Sequence, residues 1–332
     1  MKKLLAVLSA ILLTACCTAC AESPLGNPGD SGNSGASEND AKIAVICKST
    51  DPYWDSVKKA VKDAEAELQM KIPYTAPDRE DYEKQIELIN KAVNNGAEVI
   101  VLAPVVQDEL NETLAAAIAK GVQVITIDSD ISLESRAAFL ATNNEYAASL
   151  GGNHAQTLLD DDPVIAVLTH DSSSPTTAKR TDGFVNVFDA DSVQILEPVD
   201  CGGDIDKSKE TVIQMITDNP DIDIVYATNQ PTTVGVCQGV ESLISDGVIS
   251  AGQVQVVGFD YFDGADAYLD NGILSGVVIQ NPYNMGYFGV KAANYLLNDE
   301  EIPVSMMDTG SALVTKDNLH DEDIQFMLNP AG

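Results

Sequence analysis

The sequence predicts an α/β protein built as two doubly wound lobes, each a parallel sheet with helices on both faces, joined by a three-strand hinge. Three observations carry that prediction. The chain has 332 residues, a length suited to two domains. Apolar residues make up 45% of it, enough for a large core and too many for a disordered chain. From Ala41 onward, short continuous apolar runs alternate with segments of helical period, in two successive blocks, as parallel sheets buried on both faces require.

The first block opens with Lys42–Cys47 (KIAVIC), a buried-strand pattern. Asp51-Pro52 follows as an N-cap with proline at the first helical position, and Val57, Ala60, Val61, Ala64 and Leu68 then recur at helical spacing. Tyr82, Ile86, Ile89 and Val93 mark a second helix that stops at Asn95-Gly96. A strand at Val99–Leu102, a helix through Leu110, Leu114 and Ile118, and strands at Val122–Ile127 and Ala138–Ala141 complete the block.

The second block repeats the pattern. Strand Val164–Leu168 precedes a helix around Arg180–Phe188, and strand Val193–Leu196 precedes a helix with Val212, Met215 and Ile216. Strand Ile224–Ala227 leads to a helix with Val234, Val240 and Leu243, ended at Gly247. Strand Val254–Phe259 leads to a helix through Ala267 and Leu269, and strand Gly276–Ile279 to a long helix through Tyr287, Val290 and Leu297.

Ahead of both blocks, Lys2 and Lys3 are followed by the apolar run Leu4–Leu13. That run is too short for a membrane span, which needs about 20 residues, but fits the core of an export signal. Leu13-Thr14-Ala15-Cys16 resembles the lipobox of bacterial lipoproteins, which implies a signal peptide over 1–15 and lipidation of Cys16. Residues 16–40 are rich in Gly, Ser, Asn and Pro and read as a flexible tether. The expectation is a protein held by lipid on the outer face of the bacterial cytoplasmic membrane.

The net charge of −32 excludes nucleic acid, which needs a basic surface, and excludes docking on anionic lipid through a basic patch. Only three arginines occur, Arg79, Arg136 and Arg180. Cys47, Cys201 and Cys237 remain beyond the tether; Cys47 and Cys237 read as small core residues, and a Cys201–Cys237 bridge stays open. No metal-ligand spacing and no cofactor motif appears, so neither a metal site nor a cofactor is expected.

In doubly wound sheets, ligands bind beyond the C-terminal ends of the strands. Those ends carry Asp51, Tyr53 and Trp54; Asp128 and Ser129; Thr142, Asn143 and Asn144; His170 and Asp171, with Arg180 on the next helix; Asn229 and Gln230; Asp260; and Gln280. Such a set suits polyol hydroxyls, because planar carboxylate, amide and guanidinium groups each hold two neighbours, and aromatic faces cover the C–H face of a sugar. It holds no nucleophile beside a base, no P-loop and no dinucleotide fingerprint.

The stretches KIAVICKSTDPYWDSVKKA, AVNNGAEVIVLAP, VQVITIDSD, FLATNNEYAASLGG, TTAKRTDGF, IVYATNQPTTVGV, VVGFD and VVIQNP span residues 42–298. In that order they resemble the type I periplasmic binding proteins, most closely the ribose-binding group. The resemblance implies a first lobe of 41–142 plus 281–308 and a second of 143–280 plus 309–332. It implies ligand contacts from Asp51, Tyr53, Trp54, Asp128, Arg180, Asn229, Asp260 and Gln280, with Ser129 and Thr142 as further candidates. Ribose binders carry arginine where Ser129 stands, and a second-lobe aromatic where this chain has Cys201, Gly202 and Gly203. Ribose itself is therefore not the expected ligand.

The implied function is a monomeric extracytoplasmic solute-binding lipoprotein that captures a monosaccharide or related polyol and presents it to an ABC permease. The alternative is a sensor that presents a sugar-like or cationic ligand to a chemoreceptor or histidine kinase. A DNA-regulator sensor would need a helix-turn-helix at the N-terminus, where the export signal stands instead. A glycosidase using Asp51 and Asp128 would need two carboxylates arranged about a bond to be cleaved, so no enzyme activity is expected.

Overall fold

The computed structural model describes residues 41–159 and 162–330. The signal peptide, the tether and the lipidation expected at Cys16 lie outside the described residues.

The first lobe is a six-stranded, all-parallel sheet of β1 (Ile43–Ile46), β2 (Tyr74–Thr75), β3 (Val99–Leu102), β4 (Gln123–Ile127), β5 (Ala138–Ala141) and β12 (Met306–Asp308). Their order is β12-β5-β4-β3-β1-β2. Successive side chains point to opposite faces. Ile43, Val45 and Cys47 thus join one core with α1 (Asp55–Leu68) and α9 (Pro282–Leu297). Ala44 and Ile46 join another with α2 (Tyr82–Asn94) and α3 (Asn111–Ile118). Both faces are covered, which explains the unbroken apolar strands.

The second lobe orders β13 (Ser311–Val314), β11 (Leu274–Gln280), β10 (Gln255–Phe259), β9 (Ile222–Ala227), β6 (Val164–Thr169) and β7 (Gln194–Ile195) from edge to edge. A further short strand, β8 (Val199–Asp200), also pairs with β6. One face packs on α4 (Asn144–Gln156) and α5 (Pro175–Val185). The other packs on α6 (Ile205–Asp218), α7 (Gln230–Ser245) and α8 (Ala265–Asn271). The chain passes between the sheets three times: from β5 into α4, from β11 into α9, and from β12 into β13.

The structure differs from the sequence reading in several places. Asp51 does not cap α1: a 3-10 turn at Pro52–Trp54 intervenes, and the Asp51 side chain makes no cap bond. Helix α5 spans Pro175–Val185, starting at the Ser174 cap, rather than centring on 180–188. Helix α4 went unread because its buried face is Ala147, Ala148, Gly151, Gly152 and Ala155, which carries almost no apolar signal. Strand β13 runs antiparallel to β11, against the all-parallel expectation, and β12 and α10 (Glu322–Leu328) had no periodic signature. Cys201 and Cys237 are buried and unbridged.

Small residues on α4 serve close packing. A Cβ on Gly183 of α5 would lie 2.1 Å from the Glu145 carbonyl oxygen of α4, so only glycine lets the two helices meet there. That approach brings Arg180 to Asn144, where its Nε donates to the Asn144 Oδ1 at 2.8 Å.

Candidate functional site

The C-terminal strand ends of the two sheets open on one cavity of about 1140 Å³. Asp51, Tyr53, Trp54, Asp128, Ser129, Arg180, Asn229, Asp260 and Gln280 line it. Thr142 does not. It is buried and donates to the Gln280 Oε1 at 2.8 Å.

On the first lobe, the 3-10 turn after β1 presents Tyr53 and Trp54 edge to face, centroids 5.0 Å apart at 85°. Lys48, the second residue beyond β1, pairs with the Asp128 carboxylate at 2.7 Å and donates to the Ser129 hydroxyl at 2.6 Å. Tyr53 donates to the Asp128 Oδ1 at 3.2 Å. Gln85 of α2 fixes this strand end from behind: its amide donates to the Cys47 and Ala103 carbonyls and accepts from the Val105 amide. Burial alone would raise the Asp128 carboxyl, but Lys48, Ser129 and Arg180 outweigh it and hold the group below the usual carboxylate range. Burial, reinforced by Asp128, keeps the Tyr53 phenol protonated.

On the second lobe, Arg180 is buried and held on three sides. Its Nη1 donates to the Thr228 carbonyl at 2.9 Å and approaches the Asp260 Oδ2 at 3.5 Å, and its guanidinium lies 3.7 Å from the Phe259 ring centroid. Gln280 donates to the other Asp260 oxygen at 2.7 Å. Burial raises the Asp260 carboxyl above its ordinary value, and Arg180 and Gln280 offset only part of that. Asn229 caps α7 through its Oδ1, which accepts from the Thr232 amide at 3.1 Å.

Asp128 and Asp260 occupy corresponding places, each directly after a parallel strand. Each amide donates back to the neighbouring strand, to the Leu140 and Val278 carbonyls. Each residue then takes a left-handed backbone, φ 64° and 66°. Such conformations are costly outside glycine and concentrate at functional sites.

The sequence reading named neither Lys48 nor Asn144 as a ligand contact, although both line the cavity. Asn144 is among the polar residues at the strand ends; Lys48 carries no signal, since one lysine after a strand resembles any surface lysine. His170, another strand-end residue, also lines the cavity. Among the described residues, no group of three or more His, Cys, Asp or Glu is placed to hold a metal ion, and no helix is long and apolar enough to cross a membrane.

The periplasmic binding protein domain profile matches residues 43–301. The ribose import binding protein RbsB of Bacillus subtilis is 24% identical over 91% of this chain and 95% of its own. The D-allose-binding periplasmic protein of Escherichia coli is 24% identical over 76% of this chain and 83% of its own. Among solved structures, a sugar-binding protein of a sugar ABC transporter from Bacillus halodurans superposes with a TM-score of 0.76 at 26% identity, covering 84% of this chain and 98% of that one. A carbohydrate transporter solute-binding protein from Agrobacterium radiobacter, in complex with D-arabinose, gives 0.72 at 27%, covering 86% and 98%. With a match across most of its two lobes, the chain belongs to the periplasmic binding protein domain family and is a binding protein, not an enzyme.

Proposed function

We propose that the protein is an extracytoplasmic solute-binding lipoprotein, anchored through Cys16 by the tether 16–40, that captures a monosaccharide or related polyol and presents it to an ABC permease. In this reading the chain is a monomer, the lobes are 41–142 with 281–308 and 143–280 with 309–332, and the ligand shifts them toward a closed state. Asp51, Tyr53, Trp54, Asp128, Ser129, Arg180, Asn229, Asp260 and Gln280 contact the ligand, together with Lys48.

One observation carries the reading. Each lobe contributes an internally paired carboxylate to the same cavity, Asp128 with Lys48 and Asp260 with Arg180. Each of these two inner carboxylates thus keeps its own cation, so an uncharged guest can bond to them without displacing an ion. Carboxylate and guanidinium hydrogen bonds to hydroxyls contribute roughly 1.5–3 kcal/mol each, and a site built this way rejects analogues lacking those hydroxyls. Asp51, Glu80 and Asp263 also line the cavity and repel anions. The relatives named above, whose descriptions specify ribose, allose, arabinose or sugar transport, support the same class.

A thermal-shift screen of the protein against pentoses, hexoses, polyols and polyamines tests this. A ligand at 100 times its dissociation constant adds about 2.7 kcal/mol of stability. Stabilisation by one or a few sugars is expected; stabilisation by polyamines with silence from every polyol would overturn the reading.

A further inference from the structure

We infer that His170 is the second-lobe wall of the ligand cavity, its imidazole serving as the flat group opposite Tyr53 and Trp54. The inference rests on the sugar reading above. A sugar ring offers two C–H-bearing faces, and aromatic surface covers such faces well. The first lobe supplies Tyr53 and Trp54 to the cavity.

Across the cleft, the loop after β8 supplies nothing of the kind. Cys201 is fully buried, and Gly202 and Gly203 sit at φ 66° and 64°. That backbone disfavours any residue with a side chain. A Cβ at Gly203 would stand 3.8 Å from the His170 Cβ and 3.6 Å from the Asn229 Nδ2. The bare loop thus runs directly beside His170, and the imidazole is the ring at this point of the wall.

The ring is held in place. The Thr228 hydroxyl lies 2.8 Å from Nδ1, and the Thr177 hydroxyl, 3.0 Å from Nε2 and 3.4 Å from Nδ1, backs the ring; both threonines are buried. Burial first, then Arg180, depress the imidazole to about 4, against the opposing pull of Asp171 and Asp200. It therefore adds no charge to the cleft at neutral pH. Phe262 and Tyr268 also line the cavity, but they pack against each other and the Tyr268 hydroxyl donates to Glu241. Tyr261 is the rival ring in the lining that makes no such ring contact.

Calorimetric titration of the full chain with D-ribose, D-allose and D-arabinose tests the assignment. His170→Ala should weaken binding about tenfold or more, His170→Phe should restore it to within about threefold, and Tyr261→Ala should leave it unchanged. Wild-type affinity in His170→Ala overturns the inference, as does loss in Tyr261→Ala alone. If none of the three sugars binds the wild type, this inference falls, while the wider sugar reading stands or falls on the screen above. Imidazole NMR of the unmutated protein gives a second readout independent of folding in the variants. The chain has three histidines; His170 should shift on saturation with the bound sugar while His154 and His320 stay still, and a silent His170 overturns the assignment.

Discussion

Asp128 and Asp260 show what a single residue contributes. An aspartate tolerates the left-handed backbone better than most residues because its short polar side chain bonds locally, and asparagine shares that tolerance. Asp128→Asn and Asp260→Asn should therefore keep the backbone but melt lower, because Lys48 or Arg180 loses its buried partner, and should weaken sugar binding roughly tenfold to a hundredfold. Calorimetry paired with a melting curve checks both halves of that expectation. His170 gives a pH prediction. Its folded value of about 4 lies below the ordinary 6.5, so between those pH values the unfolded chain binds more protons. Stability is then present above pH 6.5 and is lost as pH falls toward 4, by an amount on the order of 2 kcal/mol. Subtracting the urea-denaturation pH profile of His170→Gln from that of the wild type should isolate this slope; identical profiles would refute it. Both aspartates could be found from sequence because each directly follows an apolar strand. Lys48 could not, because its meaning comes from Asp128, 80 residues away, to which it is paired.

The helices and strands place these groups through packing that leaves little slack. Helices α4 and α5 meet at Gly183, where an added methyl would press on the Glu145 backbone. Gly183→Ala should cost about 3 kcal/mol through forced separation and should also weaken sugar binding, because the Arg180–Asn144 bond spans the same helix pair. A lowered urea midpoint with unchanged affinity would show that the contact matters for folding only. Long amphipathic helices such as α1 are readable by their period. Helix α4 was not, because burying alanine and glycine tightens packing without writing hydrophobicity into the sequence. The short edge strands β2 and β8 carry only two residues each, too few for a period-two pattern, whereas β7 lies inside the strand expected at Val193–Leu196.

In the molecule as a whole, the three crossings between sheets are the only covalent links between the lobes among the described residues, and the cavity lies where the strand ends of both meet. The Thr142–Gln280 hydrogen bond ties two of those crossings together beside the cavity wall. If ligand draws the lobes together, small-angle scattering should show a smaller radius of gyration with saturating sugar than without, and a fall in Thr142→Val no larger than in the wild type. An unchanged radius in the wild type would rule out closure as the response to ligand. The sequence by itself determined the alternation of strands and helices, the two-lobed class and the strand ends where polar groups gather, because those follow from local periodicity and one topological rule. Only the tertiary structure decided which charges neutralise each other, that Thr142 bonds to Gln280 and that His170 lines the cavity. Pairing, burial and exposure depend on residues far apart in the chain, and no local pattern encodes the distance between them.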